Sequence, residues 1–441
     1  MSDVAAETPV IKRRHVAAAV AGNALEFYDF TTYSFFSASI GQAFFPSGPG
    51  GLSHSEFGSL MLSLGTFGAG FLLRPVGGLV IGRYADRTGR RPAMLVSFSL
   101  MGLAILALAI IPSYSAIGLA APLLAIAARL AQGFALGGEV GPTTAYLVES
   151  APRHLRGLYA SWQSASQSLA AMTGGTVGFA LSLALSSGDL KMWGWRIAFL
   201  LGAMTLPFGL YIRASLPETL HAPDHMPDYE IEETGLWQVV RDHARPIVLG
   251  LMILTSGTVA TYVLNYMTTF AQNNLKMAAS PSFAATLVNG LVGLIASLAG
   301  GWLSDILGRR WLMIVPRVLF FLAAYPVFVM IVDQRSTTAL LAGTAILSVL
   351  LNVSTGAFYV AFTELLPKRV RGVVFATVYA TAIAVFGGTT QIFVAWLMHV
   401  TGNNLAMSWY LMFATALCLV AMFAMKETAP VRVVAKVQPA R

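Results

Sequence analysis

Apolar residues along this chain neither alternate at the period of a strand nor keep to one stripe of a helix. They form long, nearly unbroken runs, separated by short clusters rich in Arg, Asp, Gly and Pro. About 20 such residues, at roughly 1.5 Å each, cross a hydrocarbon core of about 30 Å. Lipid offers no partner for backbone N–H and C=O groups, so each run must close its own hydrogen bonds as a helix. The pattern predicts twelve spans: 16–45, 55–82, 92–111, 117–148, 156–186, 194–213, 246–272, 281–304, 311–332, 337–364, 372–399 and 405–425. Several exceed the minimum length and are expected to tilt or to extend past the lipid. The predicted fold class is an all-α polytopic membrane protein.

Composition agrees. The 441 residues are 56% hydrophobic and 11% charged, whereas a soluble domain carries roughly 25% charged residues. The net charge of +8 would suit a nucleic acid or an acidic partner, but its placement argues otherwise. With both termini taken as cytoplasmic, 21 of the 28 Lys and Arg residues fall in inside segments and four in outside loops. That is the positive-inside pattern, so the basic character sets topology and leaves no reason to expect nucleic acid. The expectation is a multi-pass protein of a bacterial inner membrane, with the lipid bilayer as its partner. Lys12, Arg13 and Arg14 ahead of an apolar stretch resemble a signal peptide. The stretch carries Glu26 and Asp29 and lacks a clear small-residue cleavage site, so it reads as a retained first helix. Cys418 is the sole cysteine, which rules out an intrachain disulfide.

The chain repeats itself. Gly82-Arg-Tyr-Ala-Asp86-Arg87-Thr-Gly89-Arg90-Arg91 follows the second span, and Gly301-Trp-Leu-Ser-Asp305-Ile-Leu-Gly308-Arg309-Arg310 follows the eighth. Glu149…Pro152…Arg156-Gly157 and Glu364…Pro367…Arg371-Gly372 recur at nearly the same offset. Two motifs repeating after even-numbered spans indicate a duplicated six-helix unit in parallel orientation, suited to two halves rocking about a midplane site. The expected division is an N-terminal half over 1–213, a cytoplasmic linker over 214–245 and a C-terminal half over 246–441. His221 and His225, in the proline-containing linker, read as solvated residues, and no metal or other cofactor is expected.

These loops resemble the signature of the major facilitator superfamily. Within it, Gly22-Asn-Ala-Leu-Glu26-Phe-Tyr-Asp29-Phe, Leu73-Arg74-Pro75-Val-Gly77 and Arg129-Leu-Ala-Gln132-Gly133-Phe-Ala-Leu-Gly-Gly-Glu139 are similar to the metabolite:proton symporters. Trp162-Gln163-Ser164-Ala165-Ser166-Gln167 is most similar to the citrate and tricarballylate members. Thr268-Thr269-Phe270 departs from the family, whose members often carry a proline there. The resemblance implies a monomeric, proton-coupled symporter that imports a small organic anion, a tricarboxylate or dicarboxylate such as citrate. Betaine or proline uptake, shikimate-like solutes and export on the same fold are the alternatives within transport. His-Glu-x-x-His, Gly-x-Ser-x-Gly and Walker A motifs are absent, which argues against an enzyme and against intrinsic ATP drive.

An ion within the bilayer is costly and needs a partner, water or a task. Glu26, Asp29 and Tyr33 share one stripe of the first helix, with the carboxylates about 15–20 Å from its end, near the midplane. Two carboxylates one turn apart resist double ionisation, which suits proton loading. A helix–helix hydrogen bond is the structural alternative. Arg129, at similar depth, presents a planar fork that fits a substrate carboxylate in one state and Asp29 or Glu139 in another. The proton-coupling set is therefore Asp29, Glu26, Arg129 and Glu139, and similarity to the superfamily's Arg-x-x-Gln-Gly motif supports this role for Arg129. Candidate substrate contacts are Arg129, Tyr33, Gln163, Gln167, Arg74, Tyr262, Asn265 and Tyr359. Arg74 is equally suited to an ion pair within its half. Arg317, seven residues past Arg310, either snorkels to the surface or holds a carboxylate. Glycines at 133, 137 and 141 make a smooth face for close helix packing. Asp86, Arg87, Arg90, Arg91, Asp305, Arg309, Arg310, Glu149, Arg156, Glu364 and Arg371 lie at the membrane face and read as a salt-bridged gate.

Overall fold

The computed structural model describes residues 13–88, 90–137, 147, 151–204, 206–207, 210, 241–366 and 371–429. Every predicted span lands on a helix. In chain order these are α1 (Arg13–Phe35), α2 (Ser37–Phe44), α3 (Glu56–Leu72), α4 (Arg74–Thr88), α5 (Arg90–Ile110), α6 (Ala120–Leu136), α7 (Arg156–Ala184) and α8 (Trp195–Met204). They continue with α9 (Ala244–Asn265), α10 (Met267–Asn273), α11 (Ala279–Leu307), α12 (Arg309–Gln334), α13 (Thr337–Leu365), α14 (Arg371–Ala382), α15 (Gly388–Thr401) and α16 (Ala406–Ala424). Glu56–Tyr84 and six later segments are each long and apolar enough to cross a bilayer. Leu103, Ile110, Leu123, Leu322, Phe413 and Val420 stand exposed on the outside of the bundle, as expected of lipid-facing positions. Of the predicted linker, residues up to 240 lie outside the described ones.

Four spans are interrupted among the described residues. α3 gives way to α4 at Leu73, just ahead of Pro75, which has no N–H and crowds the carbonyl of the preceding turn. α1 breaks into α2 at Phe36, and α9 into α10 at Tyr266. A π-helical turn at Ile383–Gly387 joins α14 to α15, the kind of bulge that re-aims side chains around a site.

Small residues set the closest approaches. A Cβ at Gly133 would collide with the carbonyl oxygen of Gly70, and one at Gly137 with that of Arg74, so α6 lies directly against α3 and α4. This is the smooth face expected from the four-residue glycine spacing; Gly141 lies outside the described residues. The most extensive helix contact is between α7 and α11, along most of both helices. There a side chain at Gly290 would strike the backbone of Met172, and one at Gly301 that of Gly157. α7 against α13 and α3 against α15 are further contacts between early and late helices.

Candidate functional site

Three polar constellations lie in the bundle. The deepest is on α1 and α6. Arg129 and Asp29 are 0% and 1% exposed and form an ion pair, with Nη1 donating to Asp29 Oδ2 at 3.1 Å. The same Nη1 donates to Gln132 Oε1 at 2.6 Å. Aromatic faces complete the enclosure, with the guanidinium 4.4 Å from the Phe30 ring centre and 4.5 Å from that of Tyr33. A guanidinium held this way is neutralised by one carboxylate and steadied by π-faces. The pair is not saturated: Asp29 Oδ1 and Arg129 Nε and Nη2 have no hydrogen-bond partner among the described residues. Glu26 is buried on the same stripe. Tyr33 donates to the carbonyl of Ser63 at 3.2 Å.

Beside the pair is a central cavity of about 70 Å³, room for several waters. Phe27, Phe30 and Thr31 of α1 and Gln167 of α7 form one wall, and Tyr262, Asn265, Asn289, Arg317 and Tyr359 contribute to the other. Of the expected substrate contacts, Gln167, Tyr262, Asn265 and Tyr359 line this cavity. Gln167 reaches across it, donating to Tyr379 Oη at 3.1 Å. Tyr33, Arg74, Arg129 and Gln163 do not line it. Gln163 turns to α1, where it lies 3.5 Å from Asn23 Oδ1, while Asn23 bonds Ser166 at 2.6 Å. The two glutamines thus divide, one bridging helices and one facing the cavity. Arg74 lies 4.6 Å from the Phe30 ring centre and 4.4 Å from that of Phe71. Phe30 therefore meets both early arginines and the cavity.

Sequence reading did not single out Tyr379 or Asn289, and left Arg317 open between a surface and a ligand role. Arg317 is 1% exposed and lines the cavity, so it does not snorkel. Snorkelling fails because α13 and α16 pack over α12, with Ser354 bonded to the Met313 carbonyl at 2.8 Å.

The third constellation lies at the end of the bundle bearing the repeated loops. Asp305 accepts from the first free N–H groups of α7, Gly157 at 2.9 Å and Leu158 at 3.1 Å. A carboxylate at a helix N-terminus satisfies orphan donors and complements the helix dipole. Arg309, buried, donates to Asp305 at 2.6 Å and approaches Glu364 at 3.3 Å. Arg310 turns away to the carbonyl of Phe423 at 2.7 Å. Arg156 is the first residue of α7, and Arg87 is exposed at the end of α4. Glu139 and Glu149, and the side chains of Asp86, Arg90, Arg91 and Arg371, lie outside the described residues. Sequence reading missed Glu427, beyond the last helix, which accepts from the backbone N–H groups of Arg309 at 2.9 Å and Arg310 at 3.1 Å. Burial raises its pKa, but the N–H groups of Ala429, Arg309, Arg310 and Thr428 outweigh that and hold it below its ordinary value.

Residues 20–382 match the model of the Major Facilitator Superfamily. The chain belongs to the major facilitator superfamily. It is 37% identical to a citrate-proton symporter of Klebsiella pneumoniae over 90% of this chain and 88% of that protein. It is 35% identical to a citrate-proton symporter of Salmonella typhi over 96% of both. A proline/betaine transporter of Escherichia coli (strain K12) is 29% identical over 95% of this chain and 84% of its own length. These matches put the chain with the superfamily's metabolite:proton symporters, as a multi-pass membrane protein. The fold is shared with the crystal structure of a D-xylose-proton symporter, with TM-score 0.73 and 17% identity over 95% of this chain and 98% of that one.

Proposed function

We propose that this protein is a proton-coupled symporter of small organic acids in a bacterial inner membrane, with citrate-like tricarboxylates or dicarboxylates as substrates. The observation that carries the reading is the buried, incompletely bonded Asp29–Arg129 pair beside a cavity with polar walls. Asp29 takes the proton. Protonation removes the charge that holds Arg129, so loading and pair geometry change together, and a helix whose partner has changed can repack. The transporting relatives named above support the organic-acid assignment and argue against an enzyme.

The two halves, 1–213 and 246–441, rock about the cavity, with α7 against α11 and α13, and α3 against α15, as surfaces between them. The Asp305–Arg309–Glu364 cluster is the cytoplasmic tie, with both termini on that side. The anion, the proton and the surrounding lipid are the partners, and the working unit is a monomer.

A second reading has its own support. Phe27, Phe30, Tyr262, Phe358, Tyr359 and Tyr379 give the cavity aromatic walls, which suit a quaternary ammonium such as betaine. Uptake into proteoliposomes under an imposed pH gradient decides between them. Labelled citrate or 2-oxoglutarate should accumulate inside and betaine should not; accumulation of betaine alone would replace the organic-acid reading.

A further inference from the structure

The nitrogen-bearing side chains lining the central cavity are, but for one, bonded to neighbouring groups. Asn352 Oδ1 accepts from Ser297 at 3.2 Å, and its Nδ2 donates to the carbonyl of Ser348 at 2.9 Å. Asn289 lies 3.4 Å from Asn265 Oδ1, and Gln167 is bonded to Tyr379. Arg317 is the exception. Its only hydrogen bond among the described residues is a long one, Nη2 to Thr355 Oγ1 at 3.5 Å. Thr355 in turn donates to the carbonyl of Leu351 at 2.9 Å. Arg317 Nε and Nη1 have no hydrogen-bond partner among the described residues. No carboxylate is among the residues lining the cavity, and no described acid forms an ion pair with Arg317.

A buried guanidinium without a counter-ion is costly, and its open donors can be met only by an anion or by water. Its depth is about 12 Å from the start of α12, and its position on the cavity wall makes those donors reachable by a bound molecule. The planar fork selects a group with two acceptor oxygens in one plane. We infer that Arg317 anchors a carboxylate of the substrate, so that the anion is held from the later helices while the proton is handled by Asp29 and Arg129 on the earlier ones. This rests on the organic-acid reading above and adds the residue that makes the site selective for an anion. The bound carboxylate replaces the missing counter-ion, so the unliganded protein carries an unfavourable charge that the substrate relieves.

The test uses purified full-length protein and two variants, Arg317→Met and Arg317→Lys, with thermal melting and citrate, tricarballylate, a tricarballylate monoamide and 2-oxoglutarate as probes. Wild type should be stabilised by the tricarboxylates and should bind the monoamide at least fivefold more weakly. Arg317→Met should bind citrate at least tenfold more weakly and no longer separate tricarballylate from its monoamide. Without ligand it should melt at or above wild type, because an unpaired buried charge has gone. Arg317→Lys should fall between the two in affinity. Citrate affinity within twofold of wild type in Arg317→Met would overturn the assignment. So would a variant that melts lower without ligand yet still discriminates the monoamide, since that marks a structural residue. Wild type stabilised by none of these acids nor by 2-oxoglutarate would sink the organic-acid reading itself, and this assignment with it.

Discussion

Arg129 and Arg317 are both buried guanidinium groups in membrane-spanning helices, yet their surroundings differ. Arg129 has a carboxylate, an amide oxygen and aromatic faces around it, and it is walled off from the cavity. Arg317 has one distant hydroxyl and the Phe320 ring 5.8 Å away, no described carboxylate paired with it, and lies on the cavity wall. An internally neutralised cation is stable until its partner is protonated, which suits a coupling element. A cation awaiting an anion suits a binding element. On the function proposed above, the contrast divides labour between the two sets of helices: protons on the early one, substrate charge on the late one.

The sharpest way to break that division is at Asp29. Asp29→Asn should lose nearly all accumulation driven by a pH gradient while keeping counterflow exchange in proteoliposomes. Accumulation at the wild-type level would remove Asp29 from the coupling. At Arg129, the lysine variant should be nearly as impaired as the alanine variant, at least tenfold down in uptake, because lysine keeps the charge but lacks the planar guanidinium that lies over the Phe30 and Tyr33 rings. Wild-type uptake in Arg129→Lys would show that charge alone suffices.

Smaller effects are expected at the tie near α7. Arg309→Ala leaves Asp305 and Glu364 without their cation, which should lower stability by about 3 kcal/mol, at the lower end for a broken buried pair. Denaturation of the solubilised variant measures this, and an unchanged midpoint would argue against the pair as a support. Asp305→Asn should shift the balance between conformations and alter one-sided apparent affinity a few-fold. It should leave the rank order of competing acids intact; a reordered panel would place this loop in recognition. The smallest effect is at Glu427. Its pKa is held down in the folded protein, so its contribution is present above its ordinary value and is lost as pH falls through the lowered one. Glu427→Gln should therefore lower stability slightly at neutral pH, with the difference from wild type shrinking as pH falls, so that the acid side of the profile flattens.

The helices were legible because lipid imposes one rule on every span, and run length alone reveals it. The close packing of α6 was legible because a glycine every fourth residue leaves one face without side chains. The Asp29–Arg129 pair could be anticipated from depth and charge. Which side of a span faces the cavity was harder to read: where one face meets lipid and the other meets protein, both are apolar, and periodicity no longer marks the inside. Tyr379 and Asn289 went unnoticed for that reason, and Gln163 and Gln167 seemed equivalent although only one faces the cavity. Glu427 was hidden differently. Its partners at the start of α12 lie more than a hundred residues earlier in the chain, and a capping carboxylate across that separation leaves no local spacing to find.

The most direct test of the division is citrate binding to purified Asp29→Asn beside its uptake under a pH gradient. Separate proton and anion elements predict affinity within about threefold of wild type while accumulation is lost. Loss of binding in step with loss of accumulation would contradict the account, because Asp29 would then belong to the substrate site itself.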